Sequence, residues 1–341
     1  MSAASDDNTV ERRELGWLPW HHTAVERVRT AVTDHRLPHA LLAHGPSGVG
    51  KDVFAWTLAA TLHCRARGDE FAPCGRCADC ALSLAGSHPD LRSVEREEER
   101  KTISVDQVRE LSMALAMTSL RNGYRIAIVT PAQQMTHNAQ NALLKTLEEP
   151  AAATLLILVT SRPSALAATL RSRCQRIEIA RPTESETRAW LAARLPGAPA
   201  RGLLDLAGGS PFRALELAPH FAPLETQMHA VLEALTSGEA EVTAVAAELL
   251  GEGLPVRLDW LEHLLEAFVR ARTPGIATDL TLPGAPLLQR AAGAVNITAV
   301  FRLVDKVRET RRLLESSASP ALLIEGLLVE FVAVFGRAGV R

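Results

Sequence analysis

An α/β protein built on a parallel sheet and followed by purely helical segments is the fold class this 341-residue chain predicts. Three observations carry it. Short apolar runs alternate with helical patterns through the first half, a glycine-rich loop joins the first of those runs directly to a helix, and strand signals stop after Pro182. Alternation of this kind argues for a parallel sheet with helices on both sides.

The elements follow in order. Ala40-Leu41-Leu42-Ala43 is a short apolar run that ends in the glycine loop, and helix signals continue from Lys51 to about His63. A second strand spans Tyr124 to Thr130, after the turn signal Asn122-Gly123. A third, Thr154 to Thr160, is a continuous apolar run, as expected of a strand covered on both faces. A fourth and shorter one is Arg176 to Ile179. Between them, Ser104 or Asp106 can cap a helix in which Val108, Leu111 and Leu115 share one face. Leu143, Leu144 and Leu147 line another, which ends at Glu148-Glu149-Pro150. Residues 183–218 suggest a small helical unit punctuated by Pro196-Gly197 and Gly208-Gly209-Ser210-Pro211. From about 221 onward the pattern is helical, with one loop expected at Thr273–Pro286.

Bulk properties narrow the classes. Hydrophobic residues make up 47% and charged residues 22%, the composition of an ordinary globular protein. A net charge of −2 gives no global basic signature, so any nucleic-acid contact must be local or belong to an assembly. Residues 1–13 lack the apolar core of a signal peptide and read as a disordered tail. No run of about 18 apolar residues occurs, which argues against a membrane span.

His44-Gly-Pro-Ser-Gly-Val-Gly-Lys51 has the glycines and lysine of a phosphate-binding loop, in the strand-to-helix setting that gives the motif meaning. Gly45, Gly48 and Gly50 let backbone amides face one point at a helix N-terminus, and Lys51 would reach terminal phosphates. Hydrolysis needs more: a hydroxyl and an acidic residue on magnesium, and a group to orient water. Asp52 stands where the hydroxyl belongs, and the next central strand ends Thr130-Pro131-Ala132-Gln133 without a carboxylate. The phosphate cradle is retained, but magnesium-dependent hydrolysis is not expected.

Four of the five cysteines, Cys64, Cys74, Cys77 and Cys80, fall in one short stretch with two C-x2-C spacings sharing Cys77. Four soft ligands in tetrahedral reach fit a structural Zn²⁺, with no open position for water. An iron–sulfur cluster is the competing metal. A nucleic-acid-binding zinc finger fits less well, because Cys74-Gly-Arg-Cys-Ala-Asp-Cys80 lacks interleaved aromatics and no recognition helix with paired histidines follows. Trp17 and Trp20 precede the first strand and read as packing residues.

Asn138 to Pro150, Leu170-Arg-Ser-Arg-Cys174, the glycine loop and the cysteines together resemble the bacterial clamp-loader subunits of the AAA+ class. Within that class the similarity is to the non-hydrolysing delta prime kind of DNA polymerase III. The resemblance covers most of residues 14–218. It implies an AAA+ domain at 14–181 with a zinc module at 64–80, a helical lid at 182–220 and a helical collar for oligomerisation at 221–341. Implied partners are the gamma/tau and delta subunits, with the sliding clamp and primer–template DNA reached through the assembly, in a cytoplasmic replisome. Ser172-Arg173-Cys174 resembles the motif that projects an arginine into a neighbour's ATP site, so Arg173 is the implied contribution to catalysis. In Gly209-Ser210-Pro211-Phe212-Arg213 the arginine falls one position later than in the motor subunits, and that nucleotide role is not carried over. Two other functions stay open: an active ATPase in which Asp52 itself coordinates magnesium, and a zinc-dependent nucleic-acid-binding module.

Overall fold

The computed structural model describes residues 15–95, 102–121, 123–197, 202–238, 240–251, 253–273, 295–314 and 318–336. The expected tail at 1–13 and, apart from Thr273, the expected loop at 273–286 lie outside the described residues. The chain divides into two compact units, Met1–Thr187 and Arg188–Arg341.

The first unit holds a five-stranded, all-parallel sheet of β1 (Ala40–His44), β2 (Leu91–Val94), β3 (Arg125–Val129), β4 (Thr154–Thr160) and β5 (Gln175–Glu178), in the spatial order β2-β3-β4-β1-β5. β1 lies between β4 and β5, with His44 opposite both Thr160 and Glu178. The C-terminal ends of the central strands therefore come together on one edge, where ligands bind in open parallel sheets.

Helices cover both faces, which is why the central strands are apolar throughout. On one side α4 (Val105–Ala116) and α5 (His137–Glu148) pack on the sheet. There Val108, Leu111, Leu115, Leu143 and Leu147 share a core with Leu42, Val129 and Leu158. Ser104 caps α4 in a capping box: its Oγ accepts from the Gln107 N–H at 3.3 Å, and Gln107 Oε1 accepts from the Ser104 N–H at 2.9 Å. On the other side α2 (Lys51–His63) lies against β1, β3 and β4, with Phe54 and Leu58 fully buried. α1 (His22–Thr33) precedes β1, α3 (Ala78–Leu84) closes the cysteine segment, and the short α6 (Ala168–Arg171) leads into β5. The sequence reading of the third strand, Thr154–Thr160, coincides with β4, whereas β2 was not expected at all.

α7 (Glu184–Ala192) spans the division between the units. Among the described residues the second unit is helical: α8 (Leu203–Leu206), α9 (Pro211–Ser237), α10 (Val242–Leu249), α11 (Leu254–Arg272), α12 (Ile297–Leu313) and α13 (Pro320–Phe335). Ser210 accepts from the Arg213 N–H to cap α9, and Pro211 occupies its first turn, where a missing N–H costs nothing. Trp260, Leu264, Phe268, Phe331 and Phe335 form its buried interior. Glu262 on α11 ties α12 in place by accepting from Arg308 Nε at 2.6 Å and by pairing with Arg311. No described helix is long and apolar enough to cross a membrane.

Candidate functional site: a phosphate-type loop and a four-cysteine cluster

The glycine loop runs from β1 to α2 and keeps the curled backbone the motif requires. At Gly45 a Cβ would lie 2.1 Å from the Ile179 carbonyl oxygen, so no other residue fits without displacing the end of β5. Gly50 N-caps α2 in the left-handed region at φ 79°, which glycine adopts without steric cost. The loop's cation is turned inward: Lys51 is 7% exposed, and its Nζ donates to the Pro46 carbonyl at 2.5 Å. Burial lowers the Lys51 pKa, and the neighbouring Asp52 charge partly opposes that. The residues ahead of α1 brace the loop from outside. The Trp20 indole N–H donates to the Val49 carbonyl at 2.8 Å, and the fully buried His21 ring packs edge-on to Phe54. Burial brings the His21 pKa down to about 4, against the opposing pull of its backbone partners at Val49 and Gly50. Trp17 donates to the Phe71 carbonyl at 2.7 Å and stacks on that ring, so it packs against the cysteine segment while Trp20 braces the loop.

The two positions lacking magnesium ligands meet each other. Thr130 Oγ1, directly after β3, donates to Asp52 Oδ1 at 2.5 Å across 78 residues of sequence. Gln133 makes a separate pair of bonds at the end of β4: its Oε1 accepts from Thr160 Oγ1 at 2.7 Å and its Nε2 donates to Ser161 Oγ at 3.2 Å. The Arg162 N–H also reaches Thr160 Oγ1, at 3.1 Å, so the end of β4 is a hydrogen-bonded cap. In the second unit, the guanidinium of Arg213 pairs with Asp259.

Ser172-Arg173-Cys174 lies between α6 and β5. Ser172 Oγ donates to the Thr169 carbonyl at 3.0 Å, and Cys174 is buried in the sheet core, where burial pushes its thiol up to about 11. Arg173 between them is exposed; its Nη1 donates to the Thr169 carbonyl at 2.9 Å and its Nη2 to Glu148 Oε1 at 2.6 Å.

The four cysteines converge. Their sulfurs all lie within 4.8 Å of one another, with Cys74–Cys80 and Cys64–Cys77 separations of 3.9 Å. A tetrahedral ion about 2.3 Å from each sulfur spaces sulfurs about 3.8 Å apart, close to the two 3.9 Å separations, so this group could hold such a metal. Backbone amides support the sulfurs: the Cys74 N–H reaches Cys64 Sγ and the Cys80 N–H reaches Cys77 Sγ, each at 3.4 Å. Backbone N–H groups of Arg76 and Cys77 bring the Cys74 thiol down to about 6, which favours the ligating thiolate. Burial raises the Cys64 and Cys80 thiols.

Asp79, inside the Cys77–Cys80 knuckle, is a residue the sequence reading missed. It is 3% exposed and pairs with Arg121, with Arg65 Nε at 3.3 Å and with His88 Nε2 at 3.4 Å. Burial pushes its carboxyl up, but the Arg121 hydrogen bond and charge, aided by His88 and Arg65, outweigh it and hold the pKa below the usual range. Asp90 accepts the Leu120 and Arg121 N–H groups at 2.8 and 2.9 Å, and the His63 and His88 rings stack at 3.8 Å. Together they fasten the cysteine segment to the edge of the sheet. An acid between two metal-type cysteines was the available signal; its buried partners lie too far along the chain for any local pattern to reveal them.

Comparison with known proteins decides the lineage. The chain is 34% identical to the DNA polymerase III subunit delta′ of Pseudomonas aeruginosa, over 87% of this chain and 93% of that one. It belongs to the DNA polymerase III subunit delta′ family. The delta′ subunit of Escherichia coli is 33% identical over 92% of this chain and 95% of its own length. A family model described as DNA polymerase III, delta subunit, matches residues 20–183. Among solved structures, a gamma-subunit-related protein from Thermotoga maritima aligns over 90% of this chain and 97% of its own at 16% identity, with a TM-score of 0.47.

Proposed function

We propose that this chain is a non-hydrolysing delta′ subunit of the DNA polymerase III clamp loader, a scaffold that helps place the sliding clamp on primed DNA and supplies Arg173 to a neighbouring ATPase subunit. The carrying observation is the 2.5 Å hydrogen bond from Thr130 to Asp52. The positions from which a hydroxyl and a carboxylate would grip magnesium are engaged with each other, and the lysine of the loop is engaged with Pro46. A pocket in that state keeps the shape of a phosphate cradle without the metal-holding oxygens that hydrolysis needs.

Membership of the delta′ family supports assembly with the gamma/tau and delta subunits, and through them contact with clamp and primer–template DNA in a cytoplasmic replisome. Residues 182–220 serve as the lid and 221–341 as the collar. Arg173 acts across a subunit boundary: a fixed guanidinium aimed at a γ-phosphate contributes on the order of 10³–10⁵ in rate. The cysteines hold zinc structurally, since a full shell of four sulfur ligands leaves no position for a reacting water, and the convergence of the four supports that reading. Less than about one zinc per chain in a reduced preparation counts against that site.

Reconstitution with loader partners tests the whole. The chain alone should show no steady ATP turnover, and Arg173→Ala should leave the complex assembled while lowering its DNA-stimulated ATPase. Turnover by the lone chain, or undiminished ATPase with Arg173→Ala, overturns the proposal.

A further inference from the structure

The segment from Asn138 to Pro150 is still without a task, and the structure gives it one. Its helix, α5, grips the Arg173 segment at both ends. Near the N-terminal end, the buried Gln140 donates to the Met135 carbonyl at 3.3 Å and accepts the Ala167 N–H at 2.7 Å, which fixes the start of α6. In the middle, Leu143 and Leu147 share a core with Leu170 and Cys174. At the last residue of α5, Glu148 Oε1 accepts from Arg173 Nη2 at 2.6 Å, while the Thr169 carbonyl accepts from Nη1 at 2.9 Å.

Two acceptors on two different elements thus hold both terminal nitrogens and fix the plane of the guanidinium. Five N–H donors radiate from that plane, so three remain for another partner. We propose that Glu148 is a positioning residue for Arg173, holding its guanidinium in the stance from which it meets a phosphate bound by a neighbouring subunit. This rests on the reading of Arg173 given above. An exposed pair adds little to folding, so removing it should separate positioning from stability. Glutamine keeps an acceptor oxygen at the same reach and should preserve the stance; alanine cannot.

The experiment is steady-state, DNA-stimulated ATPase of the reconstituted complex, with this chain as wild type, Glu148→Ala, Glu148→Gln, Arg173→Ala and the Glu148→Ala/Arg173→Ala double variant. Glu148→Ala should lower kcat about two- to five-fold with KM for ATP unchanged. Glu148→Gln should recover most of that loss, and Glu148→Ala should add nothing once Arg173 is gone. Undiminished kcat with Glu148→Ala, or the same loss in the Arg173→Ala background, overturns the positioning role and leaves the Arg173 reading standing. If Arg173→Ala itself has no effect, both fall.

Discussion

The glycine loop and the cysteine cluster sit at opposite ends of one helix: Gly50 caps the start of α2 and Cys64 caps its end. At the loop the polar groups are complementary in kind, Lys51 against a carbonyl and Thr130 against a carboxylate, so folding alone satisfies them. At the cluster they are alike. Without a metal, sulfurs within 4.8 Å share only weak S–H contacts such as the two 3.9 Å pairs, whereas one cation could be bound by all four.

The comparison breaks most readily at the cluster. Chelation of the reduced protein, or Cys77→Ser, should cost several kcal/mol and lower the melting temperature by more than about 10 °C. An unshifted melt would mean the sulfurs are held by packing alone. Next in size is Gly45→Ala. With a Cβ 2.1 Å from a backbone oxygen, it should cost about 2–3 kcal/mol in chemical denaturation, and a neutral result would show that the loop is loose.

His21 gives a third measure. Its folded pKa of about 4 lies below the unfolded value of 6.5, so the unfolded chain binds the proton first as pH falls. Its contribution is complete above about pH 6.5, is lost progressively towards about pH 4, and amounts to about 2 kcal/mol between about pH 7 and 5. Urea titrations of wild type and His21→Asn should therefore differ in pH slope over that range, and parallel slopes would exclude His21 as the cause. The smallest effect is expected from Asp52→Thr, which restores the residue type of an active loop. Losing the bond from Thr130 should cost about 1–2 kcal/mol, and ATP turnover should remain at background because β3 still ends without a carboxylate. Turnover by this variant would mean the loop is one residue from activity.

Much of the fold was legible because the central strands are buried on both faces. Continuous apolar runs such as Thr154–Thr160 have no competing reading once a loop and a helix flank them. β5 was read one residue late, as Arg176–Ile179, and the Ile179 N–H does still donate to the His44 carbonyl at 2.7 Å. The edge strand Leu91–Val94 escaped because only its two ends are buried and Arg92 and Ser93 face out. Four residues with that pattern carry no period. At the site, cysteine spacing announced the cluster, since its ligands are close in sequence. Asp52 and Thr130 could be read only as two separate losses, because a 78-residue separation hides that each is the other's partner. Glu148 and Arg173 likewise belong to two separate motifs, and only folding joins them.

A further consequence follows from α2 as a rod of fixed length. Its 13 residues span about 20 Å, and each residue added or removed turns the far end by about 100°. Since the near end is clamped by Gly45 against Ile179 and by Trp20 against Val49, one inserted or deleted residue between 51 and 63 would swing Cys64 away from its three companions. Surface loops absorb such length changes; this helix cannot, and its residue count is as much a part of the metal-type site as the sulfurs are.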